Sequence, residues 1–242
     1  MKIITHRGFS GRAPENTMAA FTAALEFQVD GLELDIHRSR DGELVICHDP
    51  TVDRTTNGKG YIKDLTWEEL RRLDAGSWFG SCFQNERIPR LASLLELARQ
   101  SDLLINIELK TELFSYPGIE EQLANLVKDF DLMEQCIVSS FNHYSLLRVT
   151  AALPKLKTGI LYNAKLYQPW AYAKQLQAAA LHPKYLSAAP EIVARAHQAG
   201  LMVNAWTVNE PFWIHRMVEA QIDAIITNFP DVVRDCLSEE KA

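Results

Sequence analysis

Apolar residues recur along this chain with two alternating periods. Short runs in which every second residue is apolar give way to longer stretches with apolar residues three and four apart, from end to end. The first period is that of a strand, the second that of a helix. Strands are expected at Lys2 to His6, Val29 to His37, Leu103 to Lys110, Cys136 to Phe141, Thr158 to Tyr162, Ala178 to His182, Leu201 to Thr207 and Ala224 to Asn228. Helices expected between them include Thr17 to Glu26, Leu91 to Arg99, Ile119 to Phe130, Pro190 to Gln198 and Glu210 to Ala220. Asn16-Thr17 is a start signal for the first, and Gly200 a stop for the fourth of these. Strands that each lead into a helix predict an α/β protein, a (β/α)₈ TIM barrel forming a single domain over residues 1–242. The rival is a doubly wound open sheet. It normally carries a glycine-rich phosphate loop after an early strand, and no G-x-G-x-x-G occurs here.

One segment breaks the alternation. From about 49 to 89 the chain offers turns at Thr55-Thr56-Asn57-Gly58-Lys59-Gly60 and a short helix at Thr66 to Leu73, with Thr66 as cap and Glu69 at the capping-box position. It reads as a small insertion after the second strand, a wall or lid over the catalytic end of a barrel. Trp78, Phe79 and Phe83 are expected to hold it together.

The chemistry begins in the second strand, where Leu32, Leu34 and Ile36 alternate with Glu33 and Asp35. Two carboxylates then emerge on one face. Burying an unpaired charge costs several kcal/mol, so the pair faces water on an edge strand, shares a proton or meets a cation. The third strand repeats the pattern, with Ile105, Ile107 and Leu109 alternating with Asn106, Glu108 and Lys110. Barrel enzymes work at the C-terminal ends of their strands, which here carry His6-Arg7-Gly8, Glu33 to His37 and Asn106 to Lys110. Oxygen ligands from Glu33, Asp35 and Glu108 favour a hard divalent cation, Mg²⁺ or Ca²⁺ with Mn²⁺ as a further option. His48-Asp49 brings a second histidine to the same rim. His6 and His48 together suit general acid and base, a contribution of ~10²–10⁴-fold in rate. Arg7 and Lys110 suit phosphate oxygens, or else simple ion pairing with the acidic cluster.

Composition narrows the partners. With 242 residues and 47% hydrophobic content the chain supports a sizeable core. Twenty-five basic against 31 acidic residues and a net charge of −6, with no basic run, argue against nucleic-acid binding. Cys47, Cys82, Cys136 and Cys236 lack C-x-x-C spacing, which argues against zinc and disulfides and for reduced thiols in a cytoplasmic protein. No signal peptide and no apolar stretch of spanning length is evident, so no stable membrane insertion is expected.

His6-Arg7-Gly8, Pro14-Glu15-Asn16-Thr17, Glu33-x-Asp35, His48-Asp49, Glu108-x-Lys110 and Trp206-Thr207-Val208-Asn209, in that order, resemble the signature of the glycerophosphodiester phosphodiesterases. In length and organisation the chain is most similar to the short cytosolic bacterial enzymes. The resemblance implies one divalent ion on Glu33, Asp35 and Glu108, acid and base roles for His6 and His48, and phosphate contacts from Arg7 and Lys110. It further implies that Trp206 lines a glycerol pocket and that Glu15 supports the first loop. The implied reaction is metal-dependent hydrolysis of small-molecule glycerophosphodiesters, such as glycerophosphocholine or glycerophosphoethanolamine, to sn-glycerol 3-phosphate and an alcohol. That reaction belongs to phospholipid-derived glycerol and phosphate metabolism. Lysophospholipase D activity on lysolipids, a metal-assisted aldolase or isomerase, and a ligand-binding regulator are the competing readings.

Overall fold

The computed structural model describes residues 1–239; the last three residues of the expected domain, 240–242, lie outside the described residues. Among the described residues nine strands run in chain order: β1 (Lys2–Thr5), β2 (Gly31–Arg38), β3 (Leu44–Ile46), β4 (Leu104–Leu109), β5 (Cys136–Ser140), β6 (Lys157–Tyr162), β7 (Ala180–Pro183), β8 (Met202–Ala205) and β9 (Ala224–Thr227). They follow the order β1-β9-β8-β7-β6-β5-β4-β2-β3, and β1 also pairs with β2, which closes the sheet. All these pairings are parallel except that of β3, so eight strands form a (β/α)₈ barrel and one lies outside it. Every expected strand is present within a few residues.

The outlying strand was not expected. After β2 the chain turns at Asp41-Gly42, where Gly42 takes a positive φ of 96°, and β3 returns antiparallel with Ile36 opposite Ile46. This short hairpin matters for function, because it carries His48 back to the C-terminal mouth of the barrel.

Helices α1 (Met18–Glu26), α2 (Trp67–Leu70), α3 (Leu91–Ala98), α4 (Ile119–Asp129), α5 (His143–Ala152), α6 (Pro169–Gln175), α7 (Pro190–Gln198), α8 (Pro211–Glu219) and α9 (Pro230–Glu239) follow the strands. Thr17 caps α1 by accepting from the Ala20 N–H, and Thr66 with Glu69 forms the expected capping box on α2. Helices α5, α6 and α9 were not singled out from periodicity. In α5, Tyr144 and Leu147 point to solvent opposite the buried Leu146 and Val149, which blurs the apolar stripe.

Leu32, Leu34 and Ile36 of β2 and Ile105, Ile107 and Leu109 of β4 are buried with Phe21, Leu94, Leu123 and Val127 of the surrounding helices. The alternate residues of the same strands therefore face the barrel interior. A smaller cluster of Val45, Cys47, Val52, Ile62, Leu70, Ala75 and Ile88, backed by Leu65, Trp67 and Leu73, holds the segment after β3. Trp78, Phe79 and Phe83 are not part of it, contrary to expectation. They stack edge to face on one another, with Trp78 and Phe79 largely exposed. The loop around them is shaped instead by the Asp74 carboxylate, which accepts from the N–H groups of Gly76, Ser77 and Asn85.

One interior contact is tight enough to predict a stability change. Gly159 of β6 lies against the fully buried His182, and an added Cβ would fall 2.5 Å from His182 Nε2. That nitrogen already accepts from Asn204 Nδ2 at 3.0 Å, and the His182 carbonyl accepts from Trp206 Nε1 at 2.8 Å. Gly159→Ala is expected to destabilise by about 1–3 kcal/mol through overpacking, seen as a lower midpoint in urea unfolding. An unchanged midpoint would show that His182 moves aside without cost. Among the described residues no helix is long and apolar enough to cross a membrane.

Candidate active site

The register of β2 against β4 places Asp35 beside Glu108 and Glu33 beside Asn106. Glu33, Asp35 and Glu108 thus converge, with ligand oxygens within 4.8 Å of one another. All three are buried, Asp35 to 1% exposure, which removes the reading of a wet edge strand. Their surroundings show how the charge is managed. Asp35 Oδ2 accepts from Asn16 Nδ2 at 2.8 Å and lies 3.3 Å from Arg7 Nε; its Oδ1 meets Lys110 Nζ at 3.1 Å. Lys110 Nζ also donates to Glu108 Oε1 at 2.6 Å. Glu33 Oε2 accepts the Arg7 backbone N–H at 2.8 Å, a contact made possible because Arg7 adopts a left-handed φ of 58°. Such a conformation costs about 1–3 kcal/mol at a non-glycine residue and persists where surrounding contacts enforce it.

Burial opposes ionisation at all three carboxyls, and the outcome differs among them. Lys110 and Arg7 outweigh burial at Asp35 and hold it well below the usual carboxylate range. At Glu33, burial and the anions at Asp35 and Glu108 push the carboxyl well up. At Glu108, burial and Asp35 prevail over Lys110 and raise it to about 8. Two protonation-prone carboxyls beside an ionised one form a site short of positive charge. The all-oxygen donor set fits a hard divalent cation held by Glu33, Asp35 and Glu108.

The two histidines have unlike partners. His6 Nδ1 donates to Asn228 Oδ1 at 2.7 Å, and the Asn228 N–H is in turn held by Asn209 Oδ1 at 3.0 Å. Burial, then the neighbouring Arg7, push His6 down to about 4, so it is neutral near pH 7 with Nε2 left as the acceptor. His48 Nδ1 donates to Asp49 Oδ1 at 2.6 Å, and its backbone carbonyl accepts from His37 Nε2 at 3.2 Å. Burial, with Lys110 and Arg7, lowers His48 as well, against the pull of Asp35 and Asp49. Hydrogen bonds from Arg54 and His48 hold Asp49 ionised, at about 2 despite its partial burial.

His6, Arg7, Glu33, His48, Glu108, Lys110 and Trp206 line one cleft of about 60 Å³, with Phe141 and Leu161 on its apolar side. Trp206 stacks edge to face on Phe141 with ring centroids 5.5 Å apart. Asp35 lies beneath the cleft. Glu15 lies behind Arg7, accepting from its Nη1 at 2.8 Å. Arg7 and Lys110 both touch the carboxylates and face the cleft, so their two sequence readings coincide in space. Asn228, Asn209, Asn16, Asp49 and Arg54 had no assigned role at the site, and their partners lie up to 222 positions away in the chain. A larger cavity of about 450 Å³ opens at the N-terminal ends of the strands, around Ile4, Cys136, Ile137 and Met202, on the far side from the carboxylate cluster.

Two histidines, two cations and three carboxylates able to hold a hard cation, gathered at the C-terminal mouth of a (β/α)₈ barrel, are the groups that a phosphate-ester enzyme uses. Residues 6–232 match the Glycerophosphoryl diester phosphodiesterase family, and the chain belongs to that family as a phosphoric diester hydrolase. It is 47% identical over 231 residues to the glycerophosphodiester phosphodiesterase of Caldanaerobacter subterraneus subsp. tengcongensis, covering 96% of this chain and 95% of that one. The corresponding enzyme of Bacillus altitudinis is 40% identical, with 95% of each chain covered. Among solved structures, an Oleispira antarctica phosphodiesterase in complex with the product sn-glycerol-3-phosphate matches with a TM-score of 0.88 at 31% identity, over 98% of this chain and 97% of that one.

Proposed function

We propose that the enzyme hydrolyses glycerophosphodiesters, such as glycerophosphocholine or glycerophosphoethanolamine, to sn-glycerol 3-phosphate and an alcohol. The supporting observation is the buried three-carboxylate cluster that shares one small cleft with two histidines and two cations. Glu33, Asp35 and Glu108 would hold one Mg²⁺, Ca²⁺ or Mn²⁺. Such an ion supplies Lewis-acid polarisation of a phosphate oxygen and a template for the glycerol hydroxyls.

The chain's own groups do the rest. The Arg7 guanidinium and the Lys110 ammonium meet non-bridging phosphate oxygens as negative charge builds there. His6 Nε2, its tautomer set by Asn228, takes the proton from the nucleophile, which is either water itself or the glycerol 2-hydroxyl; in the second case the cyclic phosphate so formed is opened by a water that His6 deprotonates in turn. His48 is neutral at rest with Asp49 holding its Nδ1–H; a proton taken up at Nε2, which that carboxylate favours, is given to the departing alkoxide, a poor leaving group near neutral pH. Trp206 and Phe141 form the wall against which the carbon side of glycerol packs. The cations, carboxylates and histidines are concentrated in this one cleft, so recognition falls on the glycerol phosphate end and leaves the alcohol outside, which implies tolerance of different head groups. This is the chemistry of phospholipid-derived glycerol and phosphate metabolism, and the scattered cysteines, none in C-x-x-C spacing, suit a cytoplasmic setting.

Phosphorus NMR of glycerophosphocholine with the purified enzyme and Mg²⁺ is expected to show conversion to sn-glycerol 3-phosphate. Equal turnover of a bis-alkyl phosphate lacking glycerol would overturn the assignment.

A further inference from the structure

We infer that Arg54 is a positioning residue for the reaction proposed above, its guanidinium clipping Asp49 to Glu15 and thereby setting His48 and Arg7 together. Its Nε and Nη2 donate to the two oxygens of Asp49 at 2.7 and 3.2 Å. Its Nη1 and Nη2 donate to the two oxygens of Glu15 at 2.8 and 2.7 Å. One planar fork thus grips two carboxylates bidentately, a geometry open to arginine and closed to lysine.

Each carboxylate passes the constraint on to a group that lines the cleft. Asp49 Oδ1 accepts from His48 Nδ1 at 2.6 Å, and Glu15 Oε1 accepts from Arg7 Nη1 at 2.8 Å. The result is an unbroken path, His48–Asp49–Arg54–Glu15–Arg7, that ties the segment after β3 to the loop after β1. Those two pieces come from separate parts of the chain and meet beside the cleft, and each supplies one histidine. Without the guanidinium, Asp49 and Glu15 would be like charges converging on one point, and each would turn away from the position that orients its partner.

The plainer alternative is that Arg54 only fastens the insertion to the barrel. An exposed ion pair does little, and the Arg54 side chain is 45% exposed. Its four contacts, however, all fall on the two carboxylates that hold cleft-lining groups. Exposure also makes the position accessible to a small cation from solution. The two roles separate experimentally. A fastener affects unfolding, and lysine serves nearly as well. A positioning residue affects the His48 ring and kcat, and free guanidinium replaces it.

The experiment compares the full chain with Arg54→Ala and Arg54→Lys, loaded with Mg²⁺ and assayed on glycerophosphocholine. Both variants are expected to lose about 10–100-fold in kcat, the range seen when a group orienting a reactive residue is removed, with a smaller rise in KM through Arg7. Millimolar guanidinium is expected to restore much of the loss in Arg54→Ala but not in an Arg54→Ala, Asp49→Asn double variant. Nitrogen-15 NMR of the His48 ring, assigned with His48→Ala, is expected to show one tautomer with Nδ1 protonated in the parent and a mixture in both Arg54 variants. That reading needs no activity, so it tests the clip even if the parent fails to hydrolyse this substrate. If Arg54→Ala does not fold, Arg54→Lys carries the same readouts. Unchanged kcat and an unchanged His48 spectrum, with only a lowered Tm, would overturn the inference.

Discussion

Chelation of divalent ions is expected to abolish hydrolysis of glycerophosphocholine, and Mg²⁺ returned to the stripped protein is expected to displace protons as it binds. Glu33 and Glu108 are raised by burial and by neighbouring anions, Glu108 to about 8, so the ion-free cluster holds protons at pH 7. Ligand carboxyls must lose those protons to coordinate, and the apparent affinity therefore rises by up to about tenfold per pH unit for each proton displaced, until pH passes that value. Stability follows the same linkage. A carboxyl raised in the folded state favours the fold while protonated. Its contribution is complete below the ordinary value of 4.5 and is lost as pH climbs through about 8. The ion-free protein should accordingly weaken between pH 5 and 8.5 while the Mg²⁺-loaded protein does not, and the gap in Tm between them should widen. Calorimetric titrations in two buffers of different ionisation enthalpy measure the released protons directly. A titration at pH 7 with no proton release would contradict this description of the cluster.

Removal of either histidine is expected to lower kcat by ~10²–10⁴-fold, which is about 3–5 kcal/mol of barrier. The pair should divide when the leaving group improves. Nitrophenoxide departs without a proton, so on glycerol 3-(4-nitrophenyl phosphate) His48→Ala should recover most of its deficit while His6→Ala should not. The opposite pattern would exchange the two roles. Equal recovery would show that neither ring protonates the leaving group alone. Circular dichroism of each variant separates these effects from loss of fold.

The distribution of legible and hidden features has a physical reason. Strands β1, β2 and β4 were readable because alternation is a local property, and in β2 and β4 it assigned Leu32, Glu33 and their neighbours to opposite faces before any contact was known. Strand β3 was missed because three apolar residues, Leu44 to Ile46, show no period of their own. Helix α5 was not singled out because it exposes Tyr144. The aromatic residues at 78, 79 and 83 misled because side-chain type predicts burial only on average, and here Asp74 shapes the loop. At the site, the residues that carry charge toward the cleft were visible in short motifs. Of those that orient them, Glu15, Asp49 and Asn209 stood in the same motifs, but Asn228, which reaches His6 across 222 positions, and Arg54, which reaches Glu15 across 39, did not.

The sequence by itself determined the barrel and the set of chemical groups at its mouth, because periodicity and strand-end position are written residue by residue. Only the tertiary structure decided which of those groups are charged, which tautomers they hold and which are tied together. Burial and Coulomb interaction depend on neighbours that the closed barrel brings together from far along the chain, so one set of motifs becomes an ionised Asp35, a protonation-prone Glu108 and two histidines with unlike partners.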